Sequence, residues 1–245
     1  MKPYWQSPDG RITVYRSRWE AVLSAGLVPV EQVSLIHADP VYTPADRPLP
    51  GNRRGKTSGG GVDCARLKQR DFPPLAGASR PFRPAKILRL GRPTVLWGAN
   101  HYGGVPGSPS WILWDKRDGV TPDNGADGEL AWTNLGGPLR VFGHLWRGTL
   151  RASECGTPHL GPTQKPIALS SYVFARAKLR TGDLVLVPYL GSGPDLPAAL
   201  AMGLRVIACD VERWCCDTAI GRLGAITPEK AAEPVGPLFT PRPPQ

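Results

Sequence analysis

Residues 184–210, LVLVPYLGSGPDLPAALAMGLRVIACD, constrain this chain more than any other segment. Leu184–Val187 is short, continuous and apolar, the pattern of a strand buried on both faces of a parallel sheet. Gly191-Ser192-Gly193 offers backbone that can approach a ligand where a Cβ would clash. Pro194 suits the first turn of a helix, and Pro197 is tolerated while that turn lasts. Residues 198–202 continue the helix, Gly203 closes it, and residues 205–209 form a second strand. Asp210 lies about 20 residues past Gly191, the spacing at which an acid on the second strand reaches ribose hydroxyls. The unit reads as the site of a nucleotide-like cofactor.

Its details narrow the cofactor. In the dinucleotide fingerprint G-x-G-x-x-G the third glycine would fall at position 196, which is leucine. No G-x-x-x-x-G-K-[ST] phosphate loop occurs. Both facts suit a cofactor without phosphates, such as S-adenosylmethionine. A lone G-x-G would be an ordinary turn; here strand, helix, strand and acid accompany it.

The remainder of the chain sets bounds. With 245 residues and 41% hydrophobic content, one sizeable domain with insertions is expected. No apolar run approaches membrane-spanning length, and Met1-Lys2-Pro3-Tyr4-Trp5 does not open a signal peptide. Cys64, Cys155, Cys209, Cys215 and Cys216 form no C-x-x-C pair. Neither a zinc site nor a disulfide framework is expected, and a reduced cytoplasmic setting is the default. The net charge of +10 fits a polyanionic partner, or an arginine-rich surface of no specific meaning. Gly 29 and Pro 28 predict many loops.

Along the chain, strands are expected at residues 12–15, 33–38, 94–97, 111–114 and 139–142. Helices are expected at 19–24, 166–179 and 214–223, and residues 115–128 read as polar and turn-rich. Residues 43–90 read as a flexible basic and proline-rich insertion, containing GNRRGKTSGGG, and 228–245 as a loose proline-rich tail. Trp97, Trp111, Trp114, Trp132 and Trp146 are expected mostly in the core.

The expected strand 33–38 runs into Asp39-Pro40-Val41-Tyr42. A carboxylate, a proline-stiffened turn and an aromatic ring make a small receptor: acid and Pro40 carbonyl accept from an amine, and the ring stacks on a base. Alone, D-P-x-Y is more often a turn after a strand. Ligands of open α/β sheets, however, gather outside the carboxyl ends of strands, where the glycine loop also stands.

These segments carry a resemblance. DPVY resembles the D-P-P-Y motif of amino-directed DNA methyltransferases. VLVPYLGSG resembles their V-L-D-P-F-x-G-S-G segment, and GPTQKP their H-P-T-Q-K-P. Catalytic motif first and cofactor loop last is their β-type order, and the middle, LWGANHY through ELAWTNLGG, is similar to phage-type members. The resemblance implies an α/β Rossmann-like fold with helices on both faces and an inserted target-recognition region at residues 103–160. The whole of 1–245 would be one catalytic domain. It implies methyl transfer from S-adenosylmethionine to the amine of a flipped base in double-stranded DNA, as in DNA methylation and restriction-modification. The setting would be the cytoplasm of a bacterial or phage-infected cell.

Carried over residue by residue, Asp39 and Pro40 would hold the amine and Tyr42 would stack on the base. Tyr189, Gly191, Ser192, Gly193 and Asp210 would line the cofactor site, with Thr163, Gln164, Lys165 and Pro166 closing over its methionine portion. Asp39 points to adenine N6; cytosine-N4 members more often carry serine there. Arg53, Arg54, Lys56, Lys116, Arg117 and Arg147 are candidate DNA phosphate contacts. No metal or membrane partner is implied, and the chain is expected as a monomer or homodimer. No proline precedes Cys64, as a cytosine-C5 nucleophile would require.

Three positions depart from the pattern: Val41 for the second proline, Gly161 for the histidine, and Val187 for the acid. Val187 cannot attract an ammonium, so an aspartate there is expected to tighten cofactor binding. The readings left beside an adenine enzyme are a cytosine-N4 enzyme and a DNA-binding homologue of weak or no activity. A nicotinamide oxidoreductase would not explain DPVY or PTQKP. A protein or small-molecule methyltransferase would not explain the basic insertion.

Overall fold

The computed structural model describes residues 1–42, 81–120, 126–147, 150–161 and 163–224. Arg53, Arg54, Lys56, residues 43–80 of the expected insertion, and the 228–245 tail lie outside the described residues. The described residues form a mixed sheet of nine strands with helices on both faces. The strands in chain order are β1 (Trp5–Gln6), β2 (Ile12–Arg16), β3 (Val33–Ala38), β4 (Thr94–Trp97), β5 (Trp111–Asp115), β6 (Gly128–Thr133), β7 (Arg140–Gly143), β10 (Leu184–Val187) and β11 (Arg205–Asp210). A separate short hairpin pairs β8 (Trp146–Arg147) with β9 (Leu150–Arg151). The helices are α1 (Trp19–Ser24), α2 (Ala85–Leu88), α3 (Ile167–Arg176), α4 (Asp195–Ala201) and α5 (Arg213–Gly224).

The sheet order is β1-β2-β11-β10-β3-β4-β6-β5-β7. Strands β2, β11, β10, β3 and β4 are mutually parallel. After β3 the next strand in the sheet lies on one side, and after β10 on the other. The order therefore reverses between β3 and β10, and by the rule for open α/β sheets their carboxyl ends mark the place of a ligand crevice. Leu186 is in register with Ile36, so Asp39 and the glycine loop leave neighbouring strands at the same edge.

Burial on both faces explains the apolar runs. Val185 and Val187 of β10 belong to the core under α3, α4 and α5, with Val173, Phe174, Leu196, Ala198 and Ala219. Leu184 and Leu186 join the opposite core, with Trp19 and Val22 of α1 and Ile87 of α2. Pro194 takes the N-cap position of α4 and Pro197 stands in its first turn, where a missing N–H goes unused.

Two expectations are corrected. Residues 81–90 are not part of a flexible insertion: α2 forms there and Ile87 is 1% exposed. Residues 128–133, for which no strand is expected, form β6, antiparallel to both β4 and β5. Of the five tryptophans expected mostly in the core, Trp97, Trp114, Trp132 and Trp146 are buried.

Candidate active site

The crevice has two walls. The first is the glycine loop. Gly191 N–H donates to Asp210 Oδ2 at 2.9 Å, and Glu212 N–H donates to Asp210 Oδ1 at 2.9 Å. The acid thus fastens the loop to the tip of β11. Burial pushes the Asp210 carboxyl above its usual range, with the backbone amides opposing. Tyr189 is half-buried, its hydroxyl accepting from Trp19 Nε1 at 3.2 Å, its ring against Phe82.

The glycines here act differently from expectation. A Cβ on Gly193 would stand 2.3 Å from Ala219 Cβ, so its bareness makes room for α5 rather than for a ligand. Ser192 turns the same way: its carbonyl and hydroxyl accept from Arg222 at 3.1 and 3.4 Å. Arg222 is 4% exposed and also pairs with Glu154 at 2.5 Å. Glu154 in turn accepts from Ile167 N–H at 2.8 Å, at the start of α3. Gly161, where the related pattern has histidine, lies against Ser192 and the Trp214 ring.

The second wall is charged. Asp39 Oδ2 accepts from Lys165 Nζ at 2.6 Å. Lys165 is 6% exposed, lies 3.1 Å from Glu129 Oε2, and sits over the Trp97 ring at 5.7 Å. Lys116 donates to the other Glu129 oxygen at 2.5 Å, and the Tyr42 hydroxyl donates to Oε2 at 3.2 Å. The Tyr42 ring packs on Gly98, where a Cβ would come within 2.2 Å of it. His101, in the turn after β4 with the exposed Asn100, stacks on the same ring at 5.0 Å and 9°. Pro40 is buried beneath.

The charges follow from these contacts. Burial pushes Glu129 up, but the two ammoniums outweigh it and hold its carboxyl at about 2. Burial lowers Lys165, and its two carboxylates outweigh that, leaving it well above the usual lysine value. Asp39 has a single ammonium and a carboxylate neighbour, and burial leaves it raised.

Several expected site residues have partners within the protein. Lys165 stands against Asp39. Gln164 spends its side chain on Leu160 N–H and Glu154, and its carbonyl on Trp146 Nε1. Thr163 is exposed and Pro166 caps α3. Lys116 is committed to Glu129 and Arg117 to Asp127 at 3.0 Å, so neither is an unengaged phosphate contact. Arg147 lies half-buried in β8.

Val187 is 1% exposed and sits in the α3–α5 core. An aspartate there would be a buried acid, not a reach toward a ligand, so the expected gain in cofactor binding has no geometric basis. An acid already serves this region: Asp195 of α4 lies 2.6 Å from His37 Nδ1. Trp97 Nε1, a donor only, binds His37 Nε2 at 2.8 Å, so the proton sits on Nδ1 and faces Asp195. This buried link of β4, β3 and α4 has no local sequence signature.

No family model matches the chain. Solved structures do. PvuII DNA methyltransferase, described as cytosine-N4-specific, matches with a TM-score of 0.52 and 13% identity over 94% of this chain and 92% of that one. The complex of M1.HpyAVI with SAM matches with a TM-score of 0.47 and 19% identity over 86% of this chain and 100% of that one. The α/β Rossmann-like fold is the one shared with the PvuII enzyme.

Proposed function

We propose that the chain is an S-adenosylmethionine-dependent DNA methyltransferase of the amino-directed kind, with adenine N6 as its acceptor. The observation that carries the reading is the position of Asp39. It stands at the carboxyl end of β3, beside the glycine loop, at the reversal of strand order. The fold shared with the PvuII enzyme supports the methyltransferase part of the reading; the choice of adenine rests on the acid at position 39 alone.

The residues fit an adenosine cofactor without phosphates. Asp210 stands at the tip of β11, where it would meet ribose hydroxyls, Tyr189 offers an aromatic edge, and nothing stands within 4 Å where a Cβ on Gly191 would be. Bound there, S-adenosylmethionine would supply an electrophilic methyl group. Asp39 and the Pro40 carbonyl accept the two N–H groups of an amine, holding the nitrogen with its lone pair directed away from the base. Tyr42 receives the base on its ring, in the parallel arrangement that His101 shows now. Reaching an amine inside a duplex requires base flipping, which costs a few kcal/mol of unstacking.

Sequencing-based methylation mapping of DNA from cells expressing the protein tests the reading. N6-methyladenine at a fixed motif is the expected result. N4-methylcytosine would reassign the base, and unmodified DNA would favour a binding homologue. Asp39→Ala should lower methyl transfer by roughly 1,000-fold. Calorimetry should find its affinity for S-adenosylmethionine within about twofold of wild type. Retained activity would refute the role of Asp39.

A further inference from the structure

Glu129 is absorbed by no part of the proposed reaction, yet it is the hub of the charged wall. Its carboxylate touches Lys116, Lys165 and the Tyr42 hydroxyl. Those partners come from the end of β5, the approach to α3 and the turn after β3. Through Lys165 and Tyr42 it reaches both groups assigned to the target base. Asp39 is the most exposed member of the chain of charges, at 30% against 6% for Lys165, 20% for Glu129 and 21% for Lys116.

We propose that Glu129 is a positioning residue that shares the Lys165 ammonium with Asp39, so that Asp39 confronts the amine as a carboxylate not cancelled by its own salt bridge. The argument rests on the methyltransferase reading and on simple charge counting. An amine nitrogen that gains a fourth bond becomes cationic until it sheds a proton. Asp39 and Lys165 alone sum to zero and offer that charge little. Glu129 neutralises Lys165, and Lys116 in turn balances Glu129 from the far side. The cluster is neutral as a whole but negative at the end that faces the crevice. Such fixed charge acts in a partly desolvated site, where it is screened less than in water. Glu129 never touches the base; it acts through Lys165 and Tyr42.

The titratable groups facing Asp39 are Lys165, Glu129, His37, Tyr42 and Tyr102. The test follows the Asp39 carboxyl by carbon NMR titration in the full-length protein, and turnover beside it. Glu129→Gln removes the neighbouring negative charge, so Asp39 should titrate at lower pH. Lys116→Met leaves Glu129 unbalanced, so Asp39 should titrate at higher pH. Opposed shifts show that Asp39 feels both charges; the split between kcat and KM, and the rescue by Glu129→Asp, separate a positioning role from a merely structural one. For turnover, Glu129→Gln should lower kcat roughly 10- to 100-fold while KM for the cofactor stays within about twofold, and Glu129→Asp should recover part of the loss. Titrations that stay put, or move together, overturn the proposal even if the wild type is active. Opposed shifts in a protein that transfers no methyl group would uphold the Glu129 relation and sink the methyltransferase reading instead. Should Glu129→Gln fail to fold by circular dichroism, the Lys116→Met titration decides alone.

Discussion

The two walls of the crevice are built on different principles. The glycine wall is held by the backbone and by a dry contact with α5: Asp210 binds two amides, and Gly193 lies against Ala219. The amine wall is held by side-chain charges brought from β3, β5, β6 and the segment before α3. Damage to the first should appear as lost stability. Damage to the second should appear as lost turnover in a protein that still folds. Arg222→Met puts the contrast to its strongest test. It leaves Glu154, 14% exposed, without its cation, and frees the Ser192 carbonyl. Breaking a buried pair from one side costs about 3–5 kcal/mol. The melting temperature should fall by roughly 10 °C, and cofactor affinity with it. Unchanged melting would mean that the glycine wall does not depend on α5.

Gly193→Ala should act in the same sense but less. The residue has φ +64°, and the new Cβ would meet Ala219. Strain and overpacking together cost about 2–3 kcal/mol. Denaturant titration should show a lower midpoint with an unchanged slope. Glu129→Gln also breaks ion pairs from one side, with Lys116 and Lys165, so its midpoint should fall too; what sets the amine wall apart is turnover lost in the protein that stays folded. Full turnover in folded Glu129→Gln would erase the distinction between the walls.

The same division explains what was legible in the sequence. The glycine wall is almost one continuous segment, and its local code of apolar run, glycine, proline and acid has a fixed spacing. Strand β10, helix α4 and strand β11 are therefore readable in order, and so is the position of Asp210 at a strand tip. Asp39 is readable because it follows an apolar strand. Glu129 is not. Its partners Lys116 and Lys165 lie 13 and 36 positions away, and only the antiparallel packing of β6 between β4 and β5 brings it to the crevice. Strand β6 itself hides behind Gly128, which reads as the end of a polar stretch. Lys165 was legible as part of a motif but not in its contact, because its neighbour Asp39 is 126 positions distant. The His37–Asp195 pair spans 158 positions and has no pattern at all.

Acid separates the walls most finely. Glu129 is held at about 2 against an unfolded value near 4.5. A depressed carboxyl contributes stability in full above its unfolded value, and that contribution is lost as pH falls from about 4.5 through about 2. Asp210 is raised in the fold, so the opposite sign applies: its ionised form weakens the native state at neutral pH, and stability returns as pH falls through the raised value toward 3.8. Mild acid should therefore relieve the glycine wall before stronger acid undoes the amine wall. Asp39, also raised, follows Asp210 in sign, so single substitutions are needed to tell them apart. Denaturation at a series of pH values should show Glu129→Gln removing the loss of stability below pH 4.5, with Asp210→Asn removing instead the gain that accompanies acidification toward pH 3.8. Equal slopes for wild type and Glu129→Gln below pH 4.5 would mean that the two lysines do not hold Glu129 ionised.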